Sequence, residues 1–111
     1  MRPPPVSRIL RKLSRENAFY FFTSIGNYIG ENAASLEEFV KKIKEVNAKS
    51  LEFHFYRGDF QKWIAEVLED GELAEEIKRL KNLKPAREAL RDQLYLVTSK
   101  RFEKLKSEFR G

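Results

Sequence analysis

The sequence predicts a mainly α fold: a compact bundle of five or six short helices with a basic N-terminal arm and a long C-terminal helix. Apolar residues recur at helical spacing in several segments, and residues that cap helices precede some of these segments. The 111 residues, 41% of them hydrophobic, are enough for one core. We therefore expect an arm over residues 1–15 and a single helical domain over residues 16–111.

The arm begins with an extended stretch, because Pro3, Pro4 and Pro5 fix φ and disfavour helix before them. Ser7 is the expected N-cap of a short amphipathic helix after the prolines. The apolar side of this helix has the spacing Val6, Ile9, Leu10 and Leu13.

The next segment, residues 17–22, is rich in aromatic residues and shows no clear period. A buried strand and a buried helical turn both fit it, and we favour the helix. Glycine and asparagine tolerate positive φ, so Gly26-Asn27 and Gly30-Glu31-Asn32 are expected to be turns.

Ser35 and Glu38 have the spacing of a capping box at the start of the clearest helix. Residues 51–56 alternate like a strand but are short enough for one or two helical turns, and both alternatives stay open. Asp59 is the expected N-cap of a helix that contains Phe60 and Trp63.

Asp70 is the expected N-cap of a further helix that carries Leu73, Ile77 and Leu80. Pro85 suits the first position of the last helix, which has an approximate apolar stripe. The stripe consists of Leu90, Leu94, Val97, Leu105 and Phe109.

Composition excludes several kinds of site and protein. Because the chain has no cysteine, it has no disulfide, cysteine-based zinc site or thiol nucleophile. No apolar run reaches the roughly 20 residues that span a bilayer, and basic residues interrupt the N-terminal apolar positions of a signal peptide. We expect a cytoplasmic protein without membrane insertion, of a composition typical of thermophiles.

Residues 50–64 read SLEFHFYRGDFQKWI, and residues 68–74 read LEDGELA. This pattern resembles an uncharacterised archaeal domain family, over roughly residues 16–110. The resemblance implies a small, mostly helical domain that occurs alone or attached to larger enzymes, with no established activity. The arm lies outside the pattern.

All of the net charge of +5 is in the arm. The chain has 22 lysines and arginines and 17 acidic residues, and the first fifteen residues hold five of the basic residues and none of the acidic ones. Such a segment attracts polyanions, so we expect RNA, in an assembly such as the ribosome, or another polyanion to bind it. The expected contacts are Arg2, Arg8, Arg11, Lys12 and Arg15.

The second candidate surface surrounds His54, the one histidine of the chain. A general base centred on His54 is possible in principle, but structural roles for His54, Arg57, Asp59 and Trp63 are favoured. We therefore predict no catalytic residue, no metal site and no cofactor. As an alternative to RNA binding, a protein-interaction surface for a larger enzyme is expected to include Tyr28, His54, Tyr56 and Arg57.

Overall fold

The computed structural model describes residues 5–109, and within that range the chain forms one antiparallel hairpin and six α-helices. The prediction of a mainly α protein is confirmed. The strands are β1 (Phe19–Phe22) and β2 (Tyr28–Ala33). The helices are α1 (Val6–Ile9), α2 (Leu36–Glu45), α3 (Ala48–Arg57), α4 (Asp59–Trp63), α5 (Gly71–Arg79) and α6 (Arg87–Glu108). A π-helical turn, Ile64–Leu68, continues α4, and single 3₁₀ turns cover Arg15–Asn17 and Leu80–Leu83.

The core lies between the hairpin and the helices. The hairpin contacts α2 and α3, while α6 packs against α2, α3 and α5. The centre is aromatic, with Phe21, Phe39 and Phe60 fully buried. Phe39 and Phe60 meet edge to face with ring centroids 5.2 Å apart, the geometry that the aromatic quadrupole favours. None of the helices in residues 5–109 has the length and apolar character required to cross a bilayer.

The expectation of helix in residues 17–22 is wrong, since Phe19–Phe22 is strand β1. Phe19 and Phe21 are both buried, whereas Tyr20 between them is exposed. Residues two apart share a face in a strand but lie on nearly opposite sides of a helix, so only the strand buries both phenylalanines together.

The turn expected at Gly30-Glu31-Asn32 is also wrong, because these residues belong to β2. Tyr20 pairs with Asn32 and Phe22 with Tyr28, so β2 carries extra residues between the two pairs. Gly30 has a φ of 79° and lies within this irregularity, which accounts for the glycine. The turn expected at Gly26-Asn27 is present, with Gly26 also at φ 79°.

The predicted N-cap of α2 at Ser35 is confirmed, while the reciprocal bond of Glu38 is made with Ala34, the residue before the cap, and not with Ser35. The Glu38 backbone N–H donates to Ser35 Oγ at 3.1 Å, and the Glu38 carboxylate accepts from the Ala34 backbone N–H at 2.9 Å. Lys12 also donates to this carboxylate, at 2.6 Å. The Lys12 hydrogen bond, followed by the one from Ala34, lowers the pKa of Glu38.

Residues 51–56 are helical and form most of α3. The expected N-cap role of Asp59 is wrong: Gly58 is the N-cap, and Asp59 is the first residue of α4. Gly58 has a φ of 81° and ends α3 as well as preceding α4. The Asp59 carboxylate is therefore free to bond to side chains of α3 instead.

Asp70 caps α5 as predicted, accepting from the Leu73 backbone N–H at 3.2 Å. The same buried carboxylate accepts two hydrogen bonds from Arg101 of α6. The start expected for α6 at Pro85 is wrong, because α6 begins at Arg87. The Glu52 carboxylate accepts from the Arg87 backbone N–H at 2.8 Å, so a side chain of α3 fixes this helix end.

Substituting Gly58 and Gly71 tests the backbone geometry at the α3–α4 corner. Gly58→Ala is expected to lower the free energy of unfolding by about 1 kcal/mol, because a left-handed φ disfavours any Cβ. Gly71 lies in α5, and no atom is within 4 Å of a Cβ built there. Gly71→Ala is therefore the matched control and should stabilise by up to about 1 kcal/mol. Urea denaturation measures both; equal effects of the two substitutions would contradict this account.

Candidate functional site

A pocket of about 330 Å³ opens between the hairpin and α3, and we call it the hairpin pocket. Its walls are mostly aromatic and aliphatic, with three titratable side chains at one end. The lining residues are Phe19, Tyr20, Phe22, Ser24, Ile25, Gly26, Phe53, His54, Arg57 and Asp59. Strand β1, the hairpin turn, the last turns of α3 and Asp59 at the start of α4 thus supply this site.

Both ring nitrogens of His54 are hydrogen bonded. The Phe22 backbone N–H donates to Nε2 at 2.8 Å, and Nδ1 lies 2.8 Å from the Asp59 carboxylate. A backbone N–H only donates, so Nε2 accepts and carries no proton. Nδ1 therefore carries the proton and donates to Asp59, which defines a neutral imidazole in one tautomer.

The environment of His54 favours this neutral form. Burial is the largest influence and lowers the pKa of His54 below its ordinary value of 6.5, against the opposing effects of the hydrogen bond and negative charge of Asp59. Arg57 lowers it further through its positive charge. A proton on Nε2 would also meet the Phe22 N–H and break that hydrogen bond.

Asp59 and Arg57 continue the network to the surface. The Arg57 Nε donates at 3.1 Å to the same Asp59 oxygen that accepts from His54. The Arg57 guanidinium also lies over the Phe53 ring, 4.8 Å from its centroid. The Arg57 side chain is 48% exposed, so it presents a positive charge at the mouth of the pocket.

Large apolar side chains are exposed at the rim of the hairpin pocket. Ile25, in the hairpin turn, is 80% exposed. Tyr28 is 45% exposed and packs against Tyr20 and Phe22, with ring centroids 5.8 Å and 5.5 Å away. Ile25 and Tyr28 thus expose apolar surface at the hairpin side of the pocket.

The family model described as a family of unknown function (DUF5752) matches residues 14–110. The chain belongs to this family. No curated protein and no solved structure matches it. The match contains every residue that lines the hairpin pocket and excludes most of the arm, so the pocket lies within the DUF5752 domain.

The structure brings together part of the predicted interaction surface. His54 and Arg57 share the network through Asp59, and Tyr28 lies beside the pocket rim. Tyr56 is half exposed but lies elsewhere, with its hydroxyl donating to the Pro85 carbonyl. Trp63 is buried, as predicted, and its indole N–H donates to the Asn17 carbonyl at 2.8 Å.

Sequence reasoning missed Ile25 and Phe53 as site residues. Ile25 lies between Ser24 and Gly26, where one isoleucine forms no periodic pattern. Because the sequence leaves the conformation of residues 51–56 open, it predicts Phe53 only as a core residue. Their common location follows only once β1 is placed against α3.

The structure pairs three of the predicted arm contacts within the DUF5752 chain. Arg8 forms a salt bridge with Glu69, and Lys12 forms one with Glu38 at 2.6 Å. Arg11 donates to the Val67 carbonyl at 2.6 Å. Arg2 lies outside the described residues.

The arm is also packed against the domain through apolar contacts. Ile9 and Leu13 are 4% and 8% exposed and belong to the common core. The Ser7 N-cap expectation is wrong: Pro5 precedes α1, its carbonyl accepts from the Arg8 N–H, and Ser7 lies within the helix. No cluster of three metal-ligating His, Cys, Asp or Glu side chains occurs in residues 5–109.

The pH dependence of stability tests the state of His54. Below about pH 6.5 the His54 side chain becomes protonated in the unfolded chain, whereas in the folded chain it is protonated only at lower pH. Acidification therefore favours unfolding. The contribution of His54 to the free energy of unfolding is complete above the ordinary pKa of 6.5. It is lost as the pH falls towards the lower pKa of the folded state. His54→Gln should remove this dependence, because glutamine does not titrate.

The measurement is the free energy of unfolding of both proteins from about pH 7.5 to about pH 5.5, where histidine titration dominates. The chain has one histidine, so the difference in slope belongs to His54. We expect a steeper loss towards acid in the wild-type protein. Parallel curves would contradict the assignment of a neutral, buried His54.

Proposed function

We propose that this domain is a non-catalytic protein-interaction module. The hairpin pocket receives an apolar side chain of a partner polypeptide, and acidic residues beside that side chain face Arg57. The observation that carries this proposal is an open, mostly apolar pocket with exposed Ile25 on one side and a half-exposed guanidinium on the other.

The apolar character of the pocket favours a hydrophobic group as its occupant. Of its polar side chains, His54 uses both ring nitrogens, and the Tyr20 hydroxyl donates to the Arg15 carbonyl at 2.8 Å. A ligand with several polar groups would therefore leave some of its hydrogen-bond donors or acceptors unpaired in the pocket, which is costly. A leucine or phenylalanine side chain loses nothing and gains about 1.5 to 3 kcal/mol from burial.

Arg57 favours a negative charge next to that apolar group. Its Nε is bonded to Asp59, while its terminal nitrogens form no hydrogen bond to the residues that the structure describes. The guanidinium is held in place by the carboxylate and by the Phe53 ring. A fixed guanidinium that retains free N–H donors suits a partner carboxylate.

RNA binding by the arm stays a prediction, as do a ribosomal location, an archaeal and thermophilic origin and a cytoplasmic location. A polyanion would have to displace Arg8 from Glu69 and Lys12 from Glu38. It would also have to compete with the Val67 carbonyl for Arg11. These contacts favour the protein-interaction function over RNA binding by the arm.

An enzyme centred on His54 is also disfavoured. A general base needs a nitrogen that can take a proton from a substrate. His54 Nε2 already accepts a hydrogen bond from the Phe22 N–H. Nδ1 carries the ring proton and donates a hydrogen bond to Asp59, so neither nitrogen is free to take a proton. The imidazole therefore serves to position the pocket walls.

Selection from a displayed library of random peptides tests the proposal. We expect the wild-type domain to enrich peptides with an apolar residue next to acidic residues. Ile25→Glu should weaken binding of these peptides by about tenfold or more, since it removes rim contacts and adds a like charge. Leu96, 53% exposed on α6 and outside the pocket, supplies the control: Leu96→Glu should leave affinity within about twofold, as surface changes away from a binding site do.

Two results would overturn the proposal. The first is no enrichment beyond that obtained with the Ile25→Glu domain. The second is enriched peptides that bind Ile25→Glu and wild-type protein equally well.

A further inference from the structure

A second depression, of about 470 Å³, lies where α4 and its π-helical turn face α5, and we call it the basic groove. Four of its lining residues are cationic and two are acidic. The cations are Arg57, Lys62, Lys78 and Lys81, and the acids are Glu66 and Glu75. The groove therefore has an excess of positive charge in a chain whose residues 16–111 are balanced.

The three lysines of the basic groove are not neutralised within the described chain. Among the lysines of residues 5–109, Lys12 and Lys42 lie within 4 Å of a carboxylate and the others do not. Lys62, Lys78 and Lys81 form no such pair with any described residue, although Glu66 and Glu75 line the same groove. Their ammonium groups are available to an external anion.

Lys81 and Gln61 line the groove and both lie near Gly58. A Cβ built on Gly58 would lie 3.7 Å from Lys81 Nζ and 3.8 Å from the Gln61 side-chain amide. Gln61 Oε1 is buried and has no hydrogen-bond partner among the described residues. A buried carboxamide oxygen without a partner is costly, and the Gln61 side chain must rotate before a donor in the groove can reach this oxygen.

Arg57 joins the basic groove to the hairpin pocket, because it lines both. A polypeptide bound with an apolar side chain in the pocket would pass Arg57 on its way to the three lysines. The two depressions therefore form one continuous surface with an apolar end and a cationic end.

We infer that the basic groove binds an acidic stretch of the same partner polypeptide whose apolar side chain occupies the hairpin pocket. This inference rests on the proposed function and names the class of partner. A peptide with acidic side chains supplies carboxylates for the lysines. Glu66 and Glu75 also line the groove and repel anions. A peptide can place its carboxylates away from these two residues, whereas the phosphates of a nucleic acid are evenly spaced and cannot avoid them.

Titration of the ¹⁵N-labelled domain with N-acetyl-hexaglutamate amide tests the groove separately from the pocket. We expect saturable shifts concentrated at Gln61, Lys62, Lys78 and Lys81, with an affinity that falls as salt is added. Lys78→Glu/Lys81→Glu should weaken binding by about tenfold or more. The charge-matched control Lys100→Glu/Lys104→Glu, on α6, should leave it within about twofold, because it lies outside the groove.

Three outcomes would overturn the inference: no shifts, shifts spread evenly over surface lysines, or equal losses in the two double variants. A six-nucleotide uridine RNA is titrated in parallel. Tighter binding of this RNA in the groove would make the occupant a nucleic acid and would also overturn the inference.

The hexaglutamate probe has no apolar side chain, so Ile25→Glu should leave its binding to the groove almost unchanged. If hexaglutamate fails while selected peptides still depend on Ile25, the groove inference falls and the proposed function stands. If hexaglutamate binds but selected peptides ignore Ile25, the groove is an anion site, the proposed function falls, and the link to a shared partner falls with it.

Discussion

The site depends on one side chain, His54, that ties together three parts of the fold. It projects from α3, accepts a hydrogen bond from β1 through the Phe22 N–H, and donates one to Asp59 at the start of α4. Ser50, one turn earlier on α3, donates to the Phe22 carbonyl at 2.7 Å. The outer edge of β1 is thus paired with helix side chains, which satisfies backbone groups that a two-stranded sheet leaves open.

This attachment explains why a pocket exists beside a closed core. Phe19 and Phe21 are buried in the aromatic cluster, and Phe19 also lines the pocket together with Tyr20 and Phe22. Because α3 holds the strand at Phe22, the hairpin turn with Ile25 extends past the end of the core. The apolar surface there is left uncovered by the described chain, which is the physical basis for assigning it to a partner.

The sequence was a good guide where the determinants are local. Ser35 with Glu38, and Asp70, act through hydrogen bonds within three residues, and both caps are where the spacing places them. Strand β1 was missed because its conformation is fixed by contacts with α3, about 30 residues away. Asp59 was misassigned for a different reason: its local pattern is that of an N-cap, but the buried imidazole of His54, five residues earlier, competes for its carboxylate. The charge of the arm was visible from composition, while its pairing with Glu69 and Glu38 depends on the fold.

The most direct measurement is the long-range ¹H–¹⁵N correlation spectrum of the His54 imidazole, recorded from neutral pH to just below its ordinary pKa. Our account predicts a single tautomer with the proton on Nδ1 at neutral pH, and an imidazolium that forms only below the ordinary pKa. A proton on Nε2, a mixture of tautomers, or an imidazolium that forms at the ordinary pKa would contradict it. Any of those results would mean that His54 does not accept from Phe22, and the pocket would lose the contact that positions its wall.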